Sequence, residues 1–319
     1  MKNVKPARHS AWRHALWHLL MGAMLFWGGS VRAEELRTVT VIYTSCNNGM
    51  LEACACPGNP RGGLARRAQL IRDIRAEVGE VLLLDSGDVV SPLHRPAKDE
   101  MVLTIYGLLN YDGIAIGDQE FGEGRDSFSE RIARPGLPWI SATLRDAETE
   151  KGMAPPYLIK TVSSIRVAVI GLIDRSAFEF MDPDRIQGIT VADPVETMRL
   201  HLPELRKHAD LVVVLSHLGD EGDVTLAEQV PGIDLIVGGH TQLLLLEPLK
   251  HGETMIVQAG PDGEYLGRLE LTLDHQGRIL ATQNQLIPLD SQVQDDPEIA
   301  QQVAAYFSGD RAKSRPRAK

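Results

Sequence analysis

VLLLDSGD, at residues 81–88, sets the pattern of the whole chain. It is a short apolar run followed at once by acidic and small residues, and such runs are typical of strands covered on both faces. Further runs occur at residues 167–172 (VAVIGL), 211–215 (LVVVL) and 233–237 (IDLIV). Because residues 63–78 and other intervening segments have the apolar spacing of helices, the pattern predicts an α/β fold.

Weaker signals complete the predicted order of elements. Outside these four runs, we predict strands at residues 38–44, 113–116, 243–249, 255–258, 265–273 and 279–286. We predict helices at residues 63–78, 98–109, 127–133 and 297–307. Alternating strands and helices, followed by strand–turn–strand units after residue 241, indicate sheets flanked by helices.

The net negative charge of the chain argues against partners that are themselves negatively charged. The 319 residues include 33 Lys and Arg against 43 Asp and Glu, a formal net charge of −10. Residues 1–33 contain several of the bases and no acid, so the remainder is still more acidic. Its repulsion of phosphate groups argues against nucleic acid or an anionic membrane surface as a partner. Apolar residues make up 43% of the chain, which is ordinary for a globular protein.

Residues 1–33 have the features of a signal peptide. A basic start precedes an apolar stretch of about 15 residues. Val31 and Ala33 then supply small residues just before a signal-peptide cleavage site. A retained membrane anchor is the alternative, but the stretch contains His18 and is shorter than the roughly 20 residues that a spanning helix needs. We therefore predict export to the periplasm or the extracellular space, with a mature chain that begins at Glu34.

The mature chain is predicted to contain one large domain and a short C-terminal segment. We predict one domain at residues 34–292, followed by a C-terminal helix and a basic, disordered tail at residues 293–319. No stretch after the signal peptide is long and apolar enough to span a membrane.

Polar side chains directly follow four of the predicted strands. These residues are Asp88, Asp118, His217 and His240. Ligand sites of open α/β sheets collect at the carboxyl ends of the strands, so we expect the four side chains to converge. Two carboxylates and two imidazoles suit a divalent Mn, Fe or Zn ion. The alternative is that each residue is a solvated loop residue or a local cap.

The motifs around these residues resemble a known family. In chain order they are GGLAR (62–66), LLLDSGD (82–88), GDQEF (117–121), SHLG (216–219) and DLIVGGHT (234–241). Over residues 37–290 the chain resembles the 5′-nucleotidase branch of the calcineurin-like metallophosphoesterases. The resemblance implies a four-layer αββα sandwich, with two facing mixed sheets flanked by helices. It also implies metal-dependent hydrolysis of a small-molecule phosphoester.

The resemblance implies that this chain retains one of the family's two metal-binding positions. The family binds two metals, and Asp88 matches the aspartate that bridges them. Asp118 occupies the place of the asparagine in the family's GNHE motif, while His217 and His240 match the histidines of the SH motif and the first of GHTH. The resemblance therefore implies one complete site for a divalent ion.

The other metal position departs from the family pattern. Its Asp-x-His becomes Cys46 and Asn48, and its second GHTH histidine becomes Gln242. Gln119 stands where the family has a histidine that polarises the scissile bond, and Gly122 replaces the aspartate that orients it. Because glutamine has no titratable proton near neutral pH, it cannot act as an acid. We therefore expect weak or altered hydrolysis, and we assign no catalytic residue.

Cysteines cluster at the altered position, and two interpretations stay open. Cys46, Cys54 and Cys56 are the three cysteines of the chain. One interpretation is a disulfide from Cys46 to either Cys54 or Cys56, since a bond between the closely spaced Cys54 and Cys56 would be strained. The other is a cluster of three thiolates that, with Gln242 or Asn48, holds a soft metal ion.

Two functions follow from these patterns. The first is an exported, metal-dependent hydrolase of phosphoesters or related esters with an altered dinuclear site. The second is a non-hydrolytic periplasmic protein that binds a metal or a sulfur-containing compound through its cysteines. The sequence names neither a substrate nor a protein partner.

Overall fold

The computed structural model describes residues 36–93 and 95–314, so the predicted signal peptide lies outside the described residues. The strands are β1 (Arg37–Thr44), β2 (Leu82–Asp85), β3 (Gly113–Ala115), β4 (Trp139–Ile140), β5 (Leu144–Asp146), β6 (Tyr157–Val162), β7 (Ile165–Ile173), β8 (Ile189–Val191), β9 (Leu211–His217), β10 (Leu235–Val237), β11 (Leu249–His251), β12 (Thr254–Val257), β13 (Tyr265–Leu273) and β14 (Ile279–Pro288). The α-helices are α1 (Leu64–Val78), α2 (Pro96–Leu109), α3 (Arg125–Ile132), α4 (Pro194–His208), α5 (Asp220–Gln229) and α6 (Pro297–Ser314).

The long strands form two mixed six-stranded sheets. The first has the order β14-β13-β1-β2-β3-β4, with β1 to β4 parallel and β13 antiparallel to both β1 and β14. The second has the order β11-β12-β10-β9-β7-β6, with a parallel centre and antiparallel edge strands. β5 and β8 form a separate two-stranded ribbon.

Alternating side chains place the two sheets face to face. In β1, Val39 and Val41 pack into the core between the sheets, whereas Ile42 packs beneath helices α1 and α2. In β9, Val213 packs between the sheets, whereas Val212 packs beneath α4 and α5. Because successive strand residues point to opposite faces, each sheet has one face against the other sheet and one against helices. The predicted four-layer αββα sandwich is confirmed.

The C-terminal helix belongs to the outer layer of the first sheet. Ile299 and Val303 of α6 are buried in the same core as residues of α1 and α2. The helix continues to Ser314, beyond the predicted end at residue 307, so the prediction of a disordered tail is wrong for residues 308–314. The rest of the predicted tail, residues 315–319, lies outside the described residues.

Some predicted elements differ from the structure. The predicted strand at residues 243–249 is wrong, because this segment forms only an isolated bridge between Leu244 and Ala259 before β11. Leu246 in this segment is 69% exposed, so the apolar run does not supply a buried strand face. Helix α4 was missed, although Asp193 caps its first turn by accepting from the backbone N–H of Glu196, and Pro194 occupies its first position.

Among the described residues, no helix combines the length and the apolar character that crossing a membrane requires.

Gly171 of β7 allows the two sheets to approach closely at β4. A Cβ at this position would lie 2.3 Å from the carbonyl oxygen of Ile140 in β4, and a rotamer change cannot move a backbone atom. We expect Gly171→Ala to lower the free energy of unfolding by about 1–3 kcal/mol, as measured by urea unfolding. Gly107→Ala in α2 is the matched control, because nothing lies within 4 Å of its Cβ. Equal stabilities of the two variants would contradict the steric argument.

Candidate metal centre

Four strand ends from the two sheets meet at one place. Asp88 lies three residues after β2 and Asp118 three residues after β3, while His217 ends β9 and His240 lies three residues after β10. One ligand atom from each of the four side chains lies within 4.8 Å of those of the others. The convergence that the sequence predicted is therefore present, because parallel strands deliver their carboxyl ends to a shared edge.

The distances between the four donors fit a single ion. Asp118 Oδ1 lies 3.2 Å from His217 Nε2 and 3.2 Å from His240 Nδ1, and Asp88 Oδ1 lies 3.4 Å from His217 Nε2. Ligands bound at zinc-like distances in tetrahedral geometry lie roughly 3.3–3.6 Å apart. The donor set is therefore spaced like the edges of a coordination shell.

The orientation of His217 also fits a ligand. Its Nδ1 lies 2.8 Å from the carbonyl oxygen of Ser86. Because a carbonyl only accepts, Nδ1 carries a proton, and in the neutral ring the lone pair of Nε2 points toward the two carboxylates. Hydrogen bonds from the far nitrogen to a backbone carbonyl are the usual way in which proteins orient a metal-binding histidine.

The charges of the donors depend on each other. Burial by itself would lower the pKa of His217, but the charge of Asp88 and the hydrogen bond to Asp118 outweigh it and raise that pKa well above its usual value. Burial would raise the pKa of Asp118, but its hydrogen bonds to His217 and His240 outweigh burial and lower that pKa. Two carboxylates and two imidazoles in contact require a shared cation, either a proton or a metal ion.

Glu120 holds both acidic loops in place, a role that the sequence patterns did not predict. Its carboxylate is fully buried and accepts hydrogen bonds from the backbone N–H groups of Gly117 at 2.7 Å, Val89 at 2.8 Å and Asp88 at 3.2 Å. Burial first, and then the charge of Asp88, raise the pKa of Glu120 to about 7. A glutamate directly beside Asp118 and Gln119 in the GDQEF motif was the available signal.

The loops around the site adopt unusual backbone conformations. Asp88, His240, Cys46, Asn48 and Gln242 have positive φ angles between 44° and 70°. Such conformations cost free energy for residues other than glycine and concentrate at functional sites, where surrounding contacts impose them.

Gly117 leaves space for the Asp88 carboxylate. A Cβ at position 117 would lie 2.3 Å from Asp88 Oδ1 and 2.8 Å from the ring of His217. The glycine of the GDQEF motif therefore lets the two loops approach closely enough for the donors to meet.

Amide groups occupy the region where the resemblance places the second metal. The side-chain NH₂ of Gln119 donates to Asp88 Oδ2 at 3.0 Å and to Asn48 Oδ1 at 2.9 Å. Asn48 in turn donates to Asp262 Oδ1 at 2.8 Å and to Gln242 Oε1 at 3.3 Å. The second oxygen of Asp88 is thus already engaged by a neutral donor.

Cys46 lies beside this amide network as a buried thiol. It has no disulfide partner, and it lies close to the backbone of His240. Burial, followed by the charge of Asp88, raises the pKa of the Cys46 thiol well above its ordinary value. The thiol is therefore protonated near neutral pH.

Both predictions for the cysteines need correction. All three lie in the described part of the chain, and the disulfide joins Cys54 to Cys56, not either of them to Cys46. The Cα atoms of the pair are 5.2 Å apart, which is within the usual range for disulfides. The three-thiolate cluster with Gln242 or Asn48 is likewise not formed.

Comparisons with known proteins agree with this geometry. No model of a known protein family matches the chain. It is 29% identical over 305 residues to the snake venom 5′-nucleotidase of Naja atra, covering 83% of this chain and 56% of that protein. It is 29% identical over 296 residues to the 5′-nucleotidase of Vibrio cholerae, covering 81% of this chain and 52% of that protein.

A solved structure has the same fold. The 5′-nucleotidase precursor from Thermus thermophilus superposes with a TM-score of 0.78 at 28% sequence identity, covering 86% of this chain and 59% of that one. The chain spans about half the length of the curated relatives it matches.

Removal of a ligand should abolish metal binding. We expect Asp88→Ala and His240→Ala each to lower the affinity for Mn²⁺ or Zn²⁺ by more than about 100-fold, with the larger loss for Asp88, because a charged ligand is removed from the centre of the site. Titration calorimetry measures this. His208→Ala is the control, since His208 is exposed and pairs with Glu204, away from the four ligands. Unchanged affinity in both ligand variants would contradict the assignment.

Substitution of Glu120, which is not itself a ligand, should weaken metal binding indirectly. We expect Glu120→Gln to lower the metal affinity about 10–100-fold and the free energy of unfolding by about 1–3 kcal/mol, because backbone N–H groups lose an acceptor. The same titration and a urea unfolding curve measure the two effects. Glu148→Gln, at an exposed loop residue, should change neither quantity.

Proposed function

Because the chain belongs to the 5′-nucleotidase branch of the calcineurin-like metallophosphoesterase superfamily, we propose that it is an exported hydrolase of small phosphoesters that works with one divalent ion rather than two. The observation that carries the proposal is the engagement of Asp88. Its Oδ1 faces His217 and accepts from the backbone N–H of Gln119, while its Oδ2 accepts from the side-chain NH₂ of Gln119. The amide hydrogen bond at the second oxygen competes with a second ion for this carboxylate, which a two-metal site would have to share between its ions.

The residues of the centre suit one ion. Asp88, Asp118, His217 and His240 would hold Mn, Fe or Zn, since two carboxylates balance a dication and imidazoles bind such metals as neutral ligands. When bound, the ion would supply Lewis-acid polarisation of a phosphoester oxygen. A substrate would reach the centre from the side of His240, which is half-buried, whereas His217 is fully buried.

Gln119 limits the rate of hydrolysis in this proposal. Its backbone N–H and its side-chain NH₂ both donate to Asp88, so the residue fixes the carboxylate. It offers no proton to a leaving group, because an amide does not titrate near neutral pH. The absence of a positioned acid typically costs about 10²–10⁴-fold in rate.

One contact also favours the second candidate, a non-hydrolytic metal-binding protein. Both hydrogens of the Gln119 side-chain NH₂ are used by Asp88 and Asn48, so neither is available to a bound phosphoester. Rates and metal content, measured on the same preparation, separate the two candidates.

Export rests on the first 33 residues and on their composition alone. We propose cleavage after Ala33, with the mature protein in the periplasm or outside the cell. N-terminal sequencing of the protein recovered from the periplasmic fraction tests this part, and an intact Met1 there would contradict it.

Restoring the family's side chains should restore the activity of a dinuclear site. We expect the wild type to bind one Mn²⁺ per chain and to release phosphate slowly from a panel of 5′-nucleotides. The combined variant Cys46→Asp, Asn48→His, Gln119→His, Gln242→His should bind two ions and hydrolyse the panel at least about 10²-fold faster.

The same variant without Gln119→His is the matched control for this experiment. It should gain the second ion but little rate, because it still lacks a titratable group at position 119. Fast turnover by the wild type would contradict the proposal, and so would a combined variant that still binds one ion.

A further inference from the structure

The disulfide between Cys54 and Cys56 lies on the surface, in the loop between β1 and α1. Cys56 is exposed and Cys54 is half-buried. The two sulfurs and a carboxylate oxygen of Glu264 lie within 4.8 Å of one another. Two segments about 200 residues apart thus bring three potential ligand groups to one accessible point, since Glu264 belongs to the turn before β13.

We propose that reduction of the Cys54–Cys56 disulfide creates a second metal site, in which the two thiolates and the Glu264 carboxylate bind a thiophilic divalent ion such as Zn²⁺. Thiolate and carboxylate ligands are the ones that zinc takes in proteins, and a tetrahedral ion would keep one position open. Three negative ligands compensate the charge of a dication. Because the ligands are accessible, the ion could exchange with solution or with a partner.

Backbone hydrogen bonds hold the two segments together independently of the disulfide. The N–H of Cys54 donates to the carbonyl of Arg61 at 2.8 Å, which closes the cysteine loop on itself. The N–H of Gly62 donates to Leu289, and the N–H of Leu289 donates to Glu264, each at 2.9 Å. Both sides of the site are therefore fixed to the end of β14, and this frame persists when the sulfur–sulfur bond opens.

The contacts of the two sulfurs indicate how reduction proceeds. A thiolate of an external dithiol attacks the exposed sulfur of Cys56, and Cys54 leaves as a thiolate. The backbone N–H of Arg61, 3.4 Å from Cys54 Sγ, donates to that leaving group and favours its charged form. The second thiol of the reductant then releases Cys56 and forms a disulfide within the reductant.

Two electrons pass to the protein in this exchange, and the two cysteines end as thiols. Binding of the ion displaces their two protons, because the thiolate is the ligand. Since only the reduced form binds, the ion shifts the equilibrium toward reduction, by roughly 100-fold at a free ion concentration of 100 times Kd.

The test compares oxidised and phosphine-reduced full-length protein with Zn²⁺ as the probe. We expect the reduced protein to retain one more zinc per chain after gel filtration than the oxidised protein. The same difference should appear in His240→Ala, which lacks the Asp/His centre, so the result does not depend on the proposed function. With Co²⁺, the reduced wild type should show thiolate-to-cobalt absorption, a measurement that needs no variant. Equal zinc content in both forms, or no such absorption, would overturn the proposal.

Variants identify the ligands. Cys54→Ser and Cys56→Ser should each remove the additional zinc, whereas Cys46→Ala should retain it, because the Cys46 thiol is buried elsewhere. Glu264→Gln should weaken zinc binding by at least about 10-fold. Glu253→Gln, at an almost fully exposed carboxylate, is its control. Loss of the additional zinc in Cys46→Ala, or unchanged affinity in Glu264→Gln, would show that the ligand set is wrong.

Discussion

The buried carboxylate of Glu120 is the contact on which the metal centre depends. It joins the loop after β2 to the loop after β3 by accepting backbone N–H groups from Val89 and Gly117. A charge without solvent is costly unless donors surround it, and here the donors come from the loops that carry Asp88 and Asp118. Each acidic ligand is therefore positioned by the backbone of its own loop, which leaves its side chain free to face the histidines.

The closed sandwich provides the other half of the centre. His217 belongs to the second sheet, yet its Nδ1 contacts Ser86, which follows β2 of the first sheet. Ser86 Oγ donates to the carbonyl of Gly238 across the same junction. Because these bonds connect the two sheets, the four donors come together only when the sheets pack face to face, and the stability of the core is a condition for metal binding.

Charge explains why we propose one ion. At the second position Cys46 is a protonated thiol, and Asn48 and Gln242 are neutral. Of the two carboxylates beside them, Asp262 already accepts from Asn48, and Asp88 is shared with the first position. The hydrogen bond from Gln119 occupies the oxygen of Asp88 that faces this position. The surface site proposed at Cys54 and Cys56 has the opposite character, since reduction would add negative charge where solvent and ions have access.

The sequence by itself determined the features that depend on local pattern. The alternation of β13 predicted its bounds, and apolar runs followed by polar residues predicted that Asp88, Asp118, His217 and His240 converge. Such signals are local because strand periodicity and strand ends are properties of neighbouring residues. The tertiary structure alone decided the role of Glu120 and the partner of Cys54, and it placed Glu264 beside the disulfide. The contacts of Glu120 and Glu264 join segments distant in the chain, and no spacing along the chain can specify such distances. The pairing of Cys54 with Cys56 leaves Cys46 as a buried free thiol, and the local spacing did not decide between these partners.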